Sequence, residues 1–242
     1  MTARDIRDGI GADRPADDRR TANPARPAEP SSSLGWAALA AGGLGAFGLL
    51  TWIVASRLTV GFDQPLLDAA HGLSQYKTFW LGLSDAANLP LIVIGIGLVL
   101  TLLVRRQARE AGLVVLVLAA VTAGSEAVKE LVARPRPPGF DTSVPGVVYS
   151  YPSGHVLEAL AIFGMISILL WRSRLPRGIR ITIPVLSAGF VLLVAIARVA
   201  VNAHYPSDVL AGLAGGLGCL GLFGWASQAV ARRPIRRSEG MA

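Results

Sequence analysis

Six apolar runs, each near the length of about 20 residues that a helix needs to cross a hydrocarbon core, set the terms for the whole chain. They cover Leu34–Ala55, Asp85–Val104, Ala111–Val128, Val156–Trp171, Ile181–Val201 and Asp208–Val230. A backbone in lipid must satisfy its own hydrogen bonds, so such runs fold as helices. Composition agrees. Hydrophobic residues make up 52% of the 242 and charged ones 16%, against roughly 25% charged in a soluble domain, and mean hydropathy is +0.50. The expected fold class is all-α, an integral membrane protein with six transmembrane helices. Cys219 is the single cysteine and lies in the last run, so the chain forms no internal disulfide.

The net charge of +7 does not point to nucleic acid, because of where the charges lie. Of the 23 basic residues, 17 occupy four segments: the residues before Leu34, Arg105–Arg109, Arg172–Arg180 and Arg232–Arg237. Across six spans these segments all fall on one side. That is the positive-inside pattern, which places both termini in the cytoplasm and the other loops outside. A multi-pass cell-membrane protein is expected.

Residues 1–33 are rich in Arg, Asp, Ala and Pro without apolar periodicity, and read as a disordered cytoplasmic tail. No apolar stretch followed by a cleavage site marks a signal peptide. Residues 34–56 form the first span, 57–231 the main domain and 232–242 a basic cytoplasmic tail. Between the first two spans, Asp63 is placed to cap a short helix with Pro65 in its first turn. Leu66, Leu67, Ala70 and Leu73 would then form one apolar face lying at the outer interface, flanked by Tyr76 and Trp80. Glycines 212, 215, 216, 218 and 221 in the last run predict close helix packing.

Two polar islands interrupt the apolar pattern on the outer side. The first, Lys129 to His155, contains Arg-Pro-Arg-Pro-Pro and Tyr-Pro-Ser-Gly-His; the second runs from Arg198 to Asp208. Cations beside a bilayer with no acidic run to neutralise them suit a bound anion. Phosphoester hydrolysis requires charge stabilisation, an in-line nucleophile and a proton for the leaving oxygen. Lys129, Arg136 and Arg198 offer the charge, two of them as bidentate guanidiniums. Ser153 and Gly154 offer backbone N–H groups and a hydroxyl at a helix N-terminus. His155 and His204 offer an acid/base and a nucleophile. Asp208, four residues beyond His204, is spaced to hold that imidazole in one tautomer. The three cations do the charge work of a metal, so no metal or other cofactor is expected.

Lys129-x6-Arg136-Pro137, Pro152-Ser153-Gly154-His155 and Arg198-x5-His204-x3-Asp208 together resemble the tripartite signature of the type 2 phosphatidic acid phosphatase family, whose superfamily includes the vanadium haloperoxidases. The resemblance implies a phosphatase-like helical domain over residues 57–231. It implies that His204 forms a phosphohistidine, Asp208 orients it and His155 protonates the leaving group. It assigns phosphate binding to Lys129, Arg136, Ser153, Gly154 and Arg198. One position departs from the pattern: Ala197 stands where the family usually has serine, removing a hydroxyl that would touch phosphate or orient the arginine. Arg134 reads as peripheral, and Glu158 as an acid favouring its helix dipole.

The expected activity is metal-independent hydrolysis of a membrane lipid phosphate or diphosphate at the outer face. Phosphatidic acid, phosphatidylglycerol phosphate and polyprenyl diphosphate fit equally, and nothing in the pattern specifies an oligomeric state. A transporter using the same cations only to bind is the alternative. Transporter sites favour broken helices at the bilayer midplane, whereas these cations lie at helix ends beside a His–Asp pair. The spans argue against a haloperoxidase, since those enzymes are soluble.

Overall fold

The structure is a computed structural model that describes residues 33–58, 60–85, 87–140 and 148–232. Of the segments read as tails, 1–33 and 232–242, all but Ser33 and Arg232, which belong to helices, lie outside the described residues. The helices are α1 (Ser33–Ala55), α2 (Asp63–His71), α3 (Lys77–Asp85), α4 (Leu89–Val104), α5 (Ala108–Val132), α6 (Gly154–Trp171), α7 (Arg177–Ala200) and α8 (Pro206–Arg232), with a 3₁₀ turn at Ser74–Tyr76. Six stretches are long and apolar enough to cross a membrane: Ser33–Ala55, Lys77–Val104, Ala108–Val132, Gly154–Trp171, Arg177–Ala200 and Pro206–Val230. The second is longer than the sequence pattern indicates because α3, read as part of an interfacial stretch, extends it. The protein is an all-α, multi-pass membrane bundle.

Helix α8 is central and packs against α1, α5, α6 and α7. Its glycines explain how. A Cβ on Gly221 would sit 2.3 Å from the backbone nitrogen of Ala40, and one on Gly43 would sit 2.4 Å from that of Gly218. The backbones of α1 and α8 therefore touch, which maximises dispersion contact where lipid offers no hydrophobic drive. A Cβ on Gly212 would meet the carbonyl oxygen of Ser153 at 2.7 Å, so the same device brings α8 against the start of α6. Val156, Ala159, Ile162, Val191, Val194 and Val209 form a core joining α6, α7 and α8.

Helix α2 corrects the sequence reading in two respects. Phe62 is the N-cap and Asp63 begins the helix, without a side-chain capping bond. Leu67 is buried, but Leu66 is 50% exposed, so the four apolar residues do not share one face. The inward face is instead made by Asp63 and Leu67, four residues apart and one turn above each other.

Candidate active site

The C-termini of α5 and α7 and the N-termini of α6 and α8 meet at one end of the bundle. The α7–α8 turn carries His204. Asn202 is left-handed (φ 56°), its N–H donates to Val199 O at 2.9 Å and that of Ala203 to Arg198 O at 3.0 Å. This is a Schellman ending with asparagine in the position glycine commonly takes. The N–H of His204 also donates to Arg198 O, at 3.1 Å, so the nucleophile candidate is fixed one turn from the cation candidate. Pro206 opens α8, where its missing N–H costs nothing. Asp208 reaches back to accept the N–H of Tyr205 at 2.9 Å, half of a capping box. The His204–Asp208 spacing is thus a helix-start geometry.

Contrary to the expectation from spacing, the imidazole is oriented chiefly by a backbone carbonyl. His204 Nδ1 lies 2.6 Å from Ser150 O and 3.7 Å from the nearer Asp208 oxygen. A carbonyl only accepts, so Nδ1 carries the proton and Nε2 keeps its lone pair. Ser150 is itself held: its N–H donates to Arg134 O at 2.9 Å, beside an isolated antiparallel bridge between Pro135 and Tyr149. Burial, with Arg198 and Arg136 nearby, lowers the pKa of His204 to about 4 against the opposing pull of Asp208. At neutral pH the imidazole is therefore uncharged and nucleophilic.

The phosphate-binding candidates lie at the same end of the bundle. Ser153 caps α6 and its N–H donates to Asp208 O at 3.1 Å. A Cβ on Gly154 would lie 3.6 Å from Lys129 Nζ, which brings that ammonium to the α6 N-terminus, and Lys129 also pairs with Glu126 at 2.5 Å. Arg136 donates to Ala203 O at 2.7 Å, behind His204. Arg198 is buried and donates from Nη1 to Ser84 Oγ on α3. His155 bonds through Nε2 to Asn88 Oδ1, in the turn before α4, and lies within electrostatic reach of His204, Arg198, Lys129 and Arg136. All eight sequence-predicted residues converge.

Five further residues were not singled out for the site. Ser150 supplies only a carbonyl, which no side chain advertises. Ser84 and Asn88 come from the α3–α4 segment, far from the motifs in sequence, although Asn88 before Leu89-Pro90 signals a helix start. The site also places a hydroxyl on Arg198 although Ala197, fully buried in α7, has none. Arg134, read as peripheral, is central: it donates to Asp208 Oδ1 at 2.5 Å, Ser207 Oγ at 2.7 Å and Asp63 Oδ2 at 2.7 Å. Asp63 is the fifth. Glu158 accepts a bond from Thr122 on α5 at 3.2 Å, so its role includes tying α5 to α6.

A family model of the PAP2 superfamily matches residues 110–232. The solved structure of the first transmembrane PAP2 type phosphatidylglycerolphosphate phosphatase from Bacillus subtilis is similar, with a TM-score of 0.60 and 21% identity over 81% of this chain and 100% of that one. At that identity the likeness is one of fold. No curated protein matches the chain. Asp63, Ser84 and Asn88 lie outside the matched segment.

Proposed function

Because the chain belongs to the PAP2 superfamily, we propose that it is a membrane phosphatase that hydrolyses a lipid phosphate or diphosphate through a phosphohistidine on His204. The observation that carries this reading is a pair of buried, unpartnered donors. Among the described residues, Ser153 Oγ and Arg198 Nε have no hydrogen-bond partner. Burying such groups unpaired costs about 1–3 kcal/mol each, a cost that a phosphate oxygen would remove.

His204 Nε2 attacks phosphorus in line, and the bond from phosphorus to the leaving oxygen breaks with its electron pair on oxygen. The proton for that oxygen comes from His155. Asn88 Oδ1 accepts from its Nε2–H, so the ring reacts as the imidazolium, which gives the proton from Nδ1 and later takes one back there from water. That water hydrolyses the phosphohistidine and restores both rings. Lys129, Arg136, Arg198, the Ser153 hydroxyl and the Gly154 N–H stabilise the equatorial oxygens. Substrate comes from the bilayer, whose headgroup plane presents phosphate at this end of the bundle.

Two experiments test the reading. Purified protein should release phosphate from at least one member of a panel of phosphatidic acid, phosphatidylglycerol phosphate and polyprenyl diphosphate. Turnover should survive EDTA and be inhibited by vanadate, whose five-coordinate adduct on His204 mimics the transition state. Loss of turnover in EDTA that Mg²⁺ restores would overturn the assignment of charge stabilisation to the three cations.

The site end is proposed to face outward, on the strength of the basic segments at the opposite end. In a Cys219→Ala background, cysteine at exposed Val148 should react with an impermeant maleimide on intact cells, and cysteine at exposed Arg174 should not. The reverse pattern would invert the topology.

A further inference from the structure

The residues around Asp208 form a closed polar network that the catalytic scheme does not use. Asp63 on α2 accepts the Ser207 N–H at 2.8 Å and the Ser207 hydroxyl at 2.6 Å. Arg134 bridges Asp63 and Asp208 with separate nitrogens, at 2.7 and 2.5 Å. Its guanidinium also lies 3.9 Å from the centre of the Tyr205 ring. Asp63, Ser207 and Asp208 are buried, Ser207 and Asp208 completely. Two carboxylates and one guanidinium in so dry a place form a costly arrangement, tolerated only when every partner is present.

We propose that Asp63 and Arg134 are positioning residues for the reaction, a clamp from α2 that fixes Asp208 and sets the protonation of His204. This deepens the phosphohistidine reading and rests on it for its meaning in turnover. The physical basis is the balance of charge. Arg134 binds one oxygen of Asp208, while the other accepts Tyr205 N–H and faces His204. Asp208 therefore acts on the imidazole as a carboxylate already half neutralised. Coulombic attraction from Asp208 and Asp63 outweighs burial and raises the pKa of Arg134, so the clamp is charged at every working pH.

The charged and titratable groups facing His204 and Asp208 come from all packed elements: Arg198 on α7, His155 on α6, Arg134, Arg136 and Tyr151 on the α5–α6 connection, and Asp63 on α2. Removing Arg134's charge leaves Asp208 unbalanced and makes the His204 cation easier to form. Removing Asp63's charge leaves Arg134 wholly to Asp208 and makes it harder. The two neutralising substitutions thus move His204 in opposite directions, which no general loosening of the site would do.

The test is an NMR titration of the His204 ring in full-length protein in nanodiscs, with kcat and KM measured on the same samples. In wild type the ring should titrate near 4. Arg134→Gln should raise that value by about one unit or more and lower kcat at least about tenfold, with KM changed much less. Asp63→Asn, nearly isosteric and still able to accept the Ser207 N–H, should leave the value at or below wild type. Arg134→Lys, which keeps the charge but not the fork, should restore the wild-type titration. Titration shifts of the same sign in Arg134→Gln and Asp63→Asn, or no shift in Arg134→Gln, would overturn the clamp. The ring titration needs no substrate. Variants that show the predicted shifts, in a protein whose wild type hydrolyses no lipid phosphate, would therefore sink the proposed function and leave the clamp standing.

Discussion

Replacing His204 by alanine is expected to lower turnover by at least about 10⁴-fold on every substrate and to leave no phosphate bound to the protein. His155→Ala should behave differently, because its burden depends on the leaving group. A monoester departs as an alkoxide and needs the proton, so loss of the acid should cost about 10²–10⁴-fold. A diphosphate departs as phosphate, a much weaker base, and needs little help. With an accepted diphosphate, His155→Ala should therefore phosphorylate His204 and then stall, because the same ring activates the water of the second step. Radiolabelled phosphate retained on the protein, labile in acid and stable in base, reads this directly. Label retained by His204→Ala, or none accumulated by His155→Ala with an accepted diphosphate, would show that the two roles are assigned wrongly. Asn88→Ala, which frees the His155 ring, should resemble a mild form of His155→Ala, with the larger loss on monoesters.

Arg198→Ala is expected to cost about 10²–10³-fold in kcat, the scale seen when one donor to a developing oxyanion is lost from a dry site. Arg198 is buried, its Nη1 committed to Ser84 and its Nε unpartnered, so the guanidinium is presented as a fixed fork. Arg198→Lys should recover little of the loss, because an ammonium cannot reproduce both the bond to Ser84 and the grip on phosphate. Ser84→Ala isolates the orienting part. Bonds to charged groups contribute about 1.5–3 kcal/mol, so a loss of about tenfold or more in kcat is expected with the protein still folded. If Ser84→Ala matched wild type, the hydroxyl from α3 would have no part in holding Arg198. Returning a hydroxyl at Ala197 by Ala197→Ser in the Ser84→Ala background then asks whether the two positions serve one function.

Much of the site was legible because two kinds of signal reinforce one another. Apolar run length marked the helices, and the polar residues that break the runs marked their ends. Lys129, Ser153, Gly154, Arg198, His204 and Asp208 all lie within a turn or two of a helix terminus, where polar side chains can reach the edge of the hydrocarbon core. Local rules explain even their spacing: the Schellman ending at Asn202 and the backward reach of Asp208 to Tyr205 need only neighbours in sequence.

What the sequence by itself determined, then, was the all-α membrane class and the approximate helix ends, and it pointed to the side chains proposed to carry the chemistry. Each follows from short-range physics, since a backbone in lipid must close its own hydrogen bonds and a helix end must find caps. Tertiary structure alone decided which groups hold those side chains. Ser150 O reaches His204 from 54 positions away, Ser84 reaches Arg198 from 114, and Asp63 reaches Ser207 from 144. Arg134 looks like a connector residue and becomes central only when α2 and α8 close around it. A buried charge is tolerated where its partners converge, and convergence depends on how the helices pack. That packing is set by the glycines that let the α1 and α8 backbones touch and draw α8 against the start of α6.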